Sequence, residues 1–299
     1  MNKAEHYAAG SLAVGCAVLG MKTLAWRLTG SAALYSDALE SIVNVAASLI
    51  AWAALRFAAR PADESHPYGH DKAEFFSAVI EGVLIILAAL LIFNEAWLAW
   101  VQPRHLSLPV IGILVNAVAT ALNGGWSCIL LRVSRRLRSP ALQADGRHLL
   151  ADVVTSAGIA IGVALAVLTG WIALDALLAA ATGIYVLWSG TVMIRGSVGG
   201  LMDAAPEPAV VERIRTVVAE AGTGAIEAHD FRSRHAGRHT FLQFHLVVPG
   251  AMSVADAHAI CDRIEAALKA DIPHVLVTIH VEPEEKAKHV GHEVQKITV

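Results

Sequence analysis

The chain has 299 residues, of which 56% are hydrophobic and 16% charged, against about a quarter charged in ordinary soluble domains. Almost all of the charge deficit lies before Arg195, so a membrane domain followed by a soluble one is expected. A net charge of −3 argues against a nucleic-acid partner, and three scattered cysteines (Cys16, Cys128, Cys261) without CxxC argue against a disulfide framework or thiolate metal site.

The N-terminus, "MNKAEHYAAG", lacks a small-residue cleavage site after a short apolar core and reads as retained. The first candidate span covers residues 8–27, and "RLTGS" turns it into a second at 32–58. That second span contains "DALESIVNVAAS", which sets Glu40 and Asn44 four residues apart, with Asp37 one turn earlier. Side chains at i and i+4 project from one helix face.

A polar loop, "RPADESHPYGHDKAE", follows. Asp63, His66 and His70 are spaced by three and four, and Pro67 and Gly69 break helix between the histidines. If the loop curls, the set suits Zn²⁺ with water as fourth ligand; the alternative is a solvated loop with incidental histidines. Spans three and four are placed at 75–101 and 109–132.

The connection "RVSRRLRSPALQADGR" carries five arginines, and the loop after span two adds Arg56, Arg60 and Lys72. This side is therefore assigned to the cytoplasm, and an even number of spans puts both termini there. Span five, 146–169, opens with "HLLADVVTSAG", where His148 and Asp152 are again four apart. Span six is placed at 171–194, with Asp175 near its start in a structural role.

Ionisable groups inside a span are costly, about 2.5–3.5 kcal/mol for Asp at the centre, and mark function by default. Two helices, each offering donors one turn apart, could enclose one divalent ion through one imidazole nitrogen and the oxygens of Glu40, Asn44 and Asp152. The competing readings are interfacial placement of His148 and Asp152, or interhelical hydrogen bonding by Glu40 and Asn44.

After Pro208 the periodicity changes. "AVVERIRTVVAEAG" reads as a helix ended by Gly222. "AIEAHDFRSRHAG" and "RHTFLQFHLVVPG" read as a hairpin. A second helix is capped by Ser253, and "HVLVTIHVEP" is a final strand. The order α-β-β-α-β gives two helices on a three-stranded sheet. On that last strand His280 and Glu282 share a face. The tail, with His289 and His292, reads as disordered.

The stretches "GSAALYSDALESIVN", "RPADESHPYGHDKAE", "HLLADVVTSAG", "GGLMDAAP" and "AHDFRSR…FLQFHL…AHAICDRIE…VTIHVEP" together resemble the cation diffusion facilitator family, from the first span to about Glu285. The resemblance implies an α-helical membrane protein with six transmembrane helices and a C-terminal cytoplasmic α+β domain similar to metallochaperone folds. Residues 1–200 would form the transport domain, 201–285 a metal-binding dimerisation domain and 286–299 a flexible tail.

The function implied is efflux of Zn²⁺, Fe²⁺ or Mn²⁺ in exchange for protons by a homodimeric transporter of the bacterial inner membrane, not an enzyme. Carried over, the transport ligands are Glu40, Asn44, His148 and Asp152; span two departs from the family's usual pattern, with Glu where Asp or His is common and Asn where Asp is usual. The loop set Asp63, His66 and His70 becomes a peripheral site. His229, His245, His258, His280 and Glu282 become a two-ion site in the soluble domain, with Val281 where some members have Gln. Zn²⁺ is the ion expected in these regulatory sites. A Lys72–Asp203 salt bridge is also implied. A membrane-embedded scaffold or sensor that binds metal without turnover is the alternative.

Overall fold

In a computed structural model the described residues are 3–29, 32–101, 110–169, 173–288 and 295–296, and the side chains of Asp37, Glu40 and Asp175 lie outside the described set, as do His289 and His292. The chain divides into two compact units, residues 1–199 and 200–299.

The first unit is built from α1 (Lys3–Thr29), α2 (Ala32–Ala58), α3 (Ala73–Val101), α4 (Val110–Leu137), α5 (Pro140–Thr169) and α6 (Ala173–Leu201). At 1.5 Å per residue, helices of 27 to 30 residues run about 40 Å, longer than a hydrocarbon core of about 30 Å. Among the described residues, four stretches are long and apolar enough to cross a membrane: Lys3–Leu24, Ser41–Ala58, Ala73–Leu98 and Ala176–Leu201. The six expected spans thus correspond to six helices, and length and composition qualify four of them. The expected fourth span, 109–132, is not among the four.

Large apolar side chains such as Leu91, Trp97, Leu114, Ile184 and Trp188 are more than half exposed, as helices facing lipid require. The interior is instead small and polar: Ala47, Ala51, Ala89, Ser48, Ser127 and Glu81 are fully or nearly fully buried. Small residues allow close approach where no hydrophobic effect drives helix association. At Gly82 a Cβ would meet Ile194 at 2.5 Å, and at Gly190 it would meet the Gly82 carbonyl at 3.1 Å, so α3 and α6 touch backbone to backbone. Pro140 opens α5 at its first position, and Ser139 Oγ accepts from Leu142 N at 3.3 Å.

The second unit follows the expected order: α7 (Pro208–Ala221), β1 (Glu227–Ala236), β2 (His239–Val248), α8 (Val254–Asp271) and β3 (Val275–Pro283). β1 and β2 form the antiparallel hairpin, and β3 returns parallel to β2 after α8. Alternation buries Leu242, Phe244, Leu246 and Val248 of β2 against Ile214, Val217 and Val218 of α7 and Ile260, Ile264 and Leu268 of α8. Ser253 caps α8, its side chain accepting from Asp256 N. Gly222 ends α7 at φ −83, outside the left-handed region.

Of the tail, residues 286–288 and 295–296 are described, and both parts meet β1. Lys288 N donates to Glu227 Oε1 at 2.6 Å. Gln295–Lys296 form a short strand, β4, beside Glu227 and Ala228, giving sheet order β3-β2-β1-β4. Unpaired backbone on the outer edge of β1 provides the template for that pairing.

Candidate metal centres

In the helical unit, α2 packs against α5. His148 Nε2 lies 2.7 Å from Asn44 Oδ1, so the ring N–H donates to the amide oxygen across two helices. His148, Asn44 and Asp152 are all buried. Glu40 is one turn before Asn44 on α2, and its side chain is outside the described residues.

Asp152 has partners the sequence reading did not name. Asn123 Nδ2 of α4 donates to its Oδ2 at 2.7 Å. Lys22 Nζ of α1 is 3.8 Å from its Oδ1, with the Lys22 side chain 1% exposed. Four polar atoms gathered here, Asn44 Nδ2, His148 Nδ1, Asp152 Oδ1 and Asn123 Oδ1, are buried without a hydrogen-bond partner. Buried polar groups are rarely left so, and an ion is one of the few ways to satisfy an imidazole nitrogen and a carboxylate oxygen together. Lys22 was findable in "GMKTLAW" by the same rule that flagged Asp152; Asn123 carries no charge, and nothing in "TALNGGW" sets it apart.

The loop between α2 and α3 brings Asp63, His66 and His70 together, their ligand atoms all within 4.8 Å of one another. His66 Nδ1 is 3.4 Å and His70 Nε2 3.3 Å from the Asp63 carboxylate. Tetrahedral Zn²⁺ with bonds of about 2.05 Å requires ligand–ligand edges of about 3.3 Å; the histidines meet that length at different oxygens, Oδ1 for His66 and Oδ2 for His70, so one ring must shift to share a single oxygen. Gly69, at φ +84, makes the turn between the histidines. The Asp63 carboxyl is held down to about 2, first by the Ser65 hydroxyl and then by the His66 backbone N–H. It is therefore an anion throughout the neutral range.

In the second unit the strand register does the gathering. His229 of β1 sits opposite His245 of β2, which sits opposite His280 of β3. The row lies on the sheet face away from the helices, because Ala228, Phe244 and Leu246 occupy the core. Glu282 Oε1 is 3.2 Å from His245 Nδ1 and 3.7 Å from His280 Nε2, while its Oε2 is 3.3 Å from His229 Nε2. One carboxylate thus reaches all three imidazoles.

His229 is 1% exposed, and its Nδ1 donates to Glu227 Oε1 at 3.1 Å. A ligand histidine commonly donates its second ring N–H to a carboxylate, which fixes the tautomer and frees the other nitrogen for metal. His258 stands apart on α8, exposed and 3.7 Å from Asp262. With Glu282 and Val281 it lines a half-open groove of about 330 Å³.

Asp230 was missed by the sequence reading. It occupies the bulge between His229 and Arg232 at φ +53, and it groups with His229 and His245 within ligand distance. A Lys288 hydrogen bond, followed by the charges of Lys288, His229 and His245, holds its carboxyl below the usual range. The expected partner of Lys72, Asp203, accepts from Arg234 Nη1 at 2.9 Å within its own unit.

Comparison with known proteins fits this geometry. The cation efflux transmembrane domain matches residues 9–202, and the cytoplasmic domain of cation efflux proteins matches residues 206–284. A transporter of Synechocystis sp. is 42% identical over 289 residues, covering 97% of this chain and 93% of its own. The cation-efflux pump FieF of Klebsiella pneumoniae is 33% identical over 276 residues, covering 92% and 91%. FieF of Serratia proteamaculans is 34% identical over 281 residues, with the same coverage. With buried donors shared between α2 and α5, and both domains matched in order, the chain is a transporter, not an enzyme, and belongs to the cation efflux, or cation diffusion facilitator, family.

Proposed function

We propose that this protein exports a divalent transition-metal cation, Zn²⁺, Fe²⁺ or Mn²⁺, from the cytoplasm in exchange for protons. The ion passes through a site made by Glu40 and Asn44 on α2 and His148 and Asp152 on α5. The observation that carries this reading is the 2.7 Å contact between Asn44 and His148 across the two helices, with buried atoms that lack a hydrogen bond on both and on Asp152. An oxygen-rich set with one imidazole suits these ions better than soft Cu(I). Ligands must be deprotonated to bind, so metal and protons displace one another.

Zn²⁺ in the loop would be held by Asp63, His66 and His70. In the second unit it would be held by His229, His245, His280 and Glu282, with His258 contributing from α8. The Glu282 carboxylate, whose two oxygens face different imidazoles, supports a bridging role between two ions. These ions would tie two copies through their cytoplasmic domains and couple cytoplasmic metal to transport. The host is the bacterial inner membrane, with both termini cytoplasmic.

The test is flux in proteoliposomes. His148→Ala and Asp152→Ala should each abolish metal uptake driven by a pH gradient; transport at the parent rate would refute the site. A second reading, a metal-binding scaffold or sensor, draws on Lys22, whose charge offsets Asp152. It predicts binding without pH-dependent accumulation of ⁶⁵Zn in inverted vesicles.

A further inference from the structure

Two carboxylates lie deep in the helical unit and outside the proposed transport site. Glu81 of α3 and Asp145 of α5 are each 0% exposed. Glu81 Oε1 accepts from Ser77 Oγ at 3.1 Å, and Asp145 Oδ1 accepts from Ser48 Oγ at 3.0 Å. Ser11 of α1 donates to Asp145 as well. The second oxygen of each, Glu81 Oε2 and Asp145 Oδ2, is buried with no hydrogen-bond partner. The two groups are within electrostatic reach of one another.

Among the described residues, the elements around the two groups present hydroxyls rather than cations. α1 and α2 present hydroxyls, Ser11 and Ser48. α3 presents Ser77 and, two turns before Glu81, Glu74, whose own carboxylate takes a hydrogen bond from Ser139. Along α5, Arg147 is two residues on and projects from a different face, and His148 is one turn on. α6 meets this part of α3 with Gly190 and Ile194. Among the described residues no Lys, Arg or His is paired with either carboxylate.

Two ionised carboxylates buried out of water within electrostatic reach of one another are doubly penalised, by lost solvation and by repulsion. A single proton on either group removes the repulsion and one of the two buried charges. We propose that Glu81 and Asp145 form a proton site, which holds one proton while the transport site lacks metal and releases it when a divalent cation binds. This rests on the reading of the transport site given above. The coupling is electrostatic. Asp145 and His148 are i and i+3 on one helix, a rise of about 4.5 Å, so a dication on His148 and a proton on the pair repel each other. With metal bound from the cytoplasm, the O–H bond breaks and the proton passes to cytoplasmic water. Once the metal has left on the far side, a proton from that side restores it.

The experiment counts protons released per Zn²⁺ bound by the full chain in detergent, in weak buffer with a pH indicator and ⁶⁵Zn. The E81Q/D145N double variant should bind as much Zn²⁺ as the parent and release about one proton fewer per transport-site ion. The E81D variant should keep the parent's count. An unchanged count in the double variant overturns the proposal. Loss of a Zn²⁺ equivalent also overturns it, since the pair would then belong to a metal site or its support. Should the double variant fail to fold, E81Q against E81D decides on the same count. The H148A/D152A variant separates the two readings: if it binds as many ions as the parent, the transport site itself has been misassigned.

Discussion

Glu227→Gln tests whether the row of histidines in the cytoplasmic unit is a metal site. Gln keeps the size of the side chain and can still accept from Lys288 N, so the β1 edge should stay intact. What changes is the bond from His229 Nδ1, now 3.1 Å long and made between two side chains 1% and 2% exposed. A hydrogen bond to a charged acceptor contributes about 1.5–3 kcal/mol, and one between neutral groups about 0.5–1.5. The difference, roughly 1–1.5 kcal/mol, is about a tenfold change in an equilibrium constant. It matters in the metal-bound state because a metallated imidazole makes Nδ1–H a stronger donor. Outer partners of ligand histidines generally fall in the same range of about 10–100-fold. Zinc affinity of the full chain, measured by competition with a chromogenic chelator, should therefore fall about tenfold in Glu227→Gln, with the folded chain unaltered in circular dichroism. Affinity within twofold of the parent, about 0.4 kcal/mol, would mean that His229 Nε2 does not hold metal.

Three further outcomes are expected. Lys22→Met removes an ammonium 3.8 Å from Asp152, an attraction of about 4 kcal/mol at an effective dielectric near 20; apparent affinity for the transported ion should rise at least about tenfold, and an unchanged or weaker value in vesicle uptake would refute the competition. The Asp63 carboxyl is lowered from 3.8 to about 2, so its contribution is complete above pH 3.8 and is lost only as pH falls through about 2. Asp63 therefore stays an anion through mild acidification, and Asp63→Asn should lower zinc affinity of the loop without moving the midpoint of acid release, read by pH titration of bound metal. Ser253→Ala removes the cap on Asp256 N and should destabilise the cytoplasmic unit by about 1 kcal/mol, whereas Leu268→Ala, at a fully buried position, should cost about 2–5 kcal/mol; chemical denaturation followed by hydrogen exchange in α8 distinguishes them.

Local elements are legible in the chain alone. Apolar run length marked the long helices, and period two against period 3.6 separated β1, β2 and β3 from α7 and α8, because side-chain direction along a helix or strand is a local property. Spacing of four also placed His148 with Asp152 on one face of α5. Across-helix partners were not legible, because which faces meet depends on packing between segments about a hundred residues apart. Packing between helices set Asn44 against His148, brought Lys22 and Asn123 to Asp152, and buried Glu81 and Asp145 within reach of one another's charge. The same holds for the sheet. Histidines at 229, 245 and 280 become a row only through strand register, and Glu227 and Asp230 acquire their roles from a buried edge and a bulge that hydrogen bonding between strands creates.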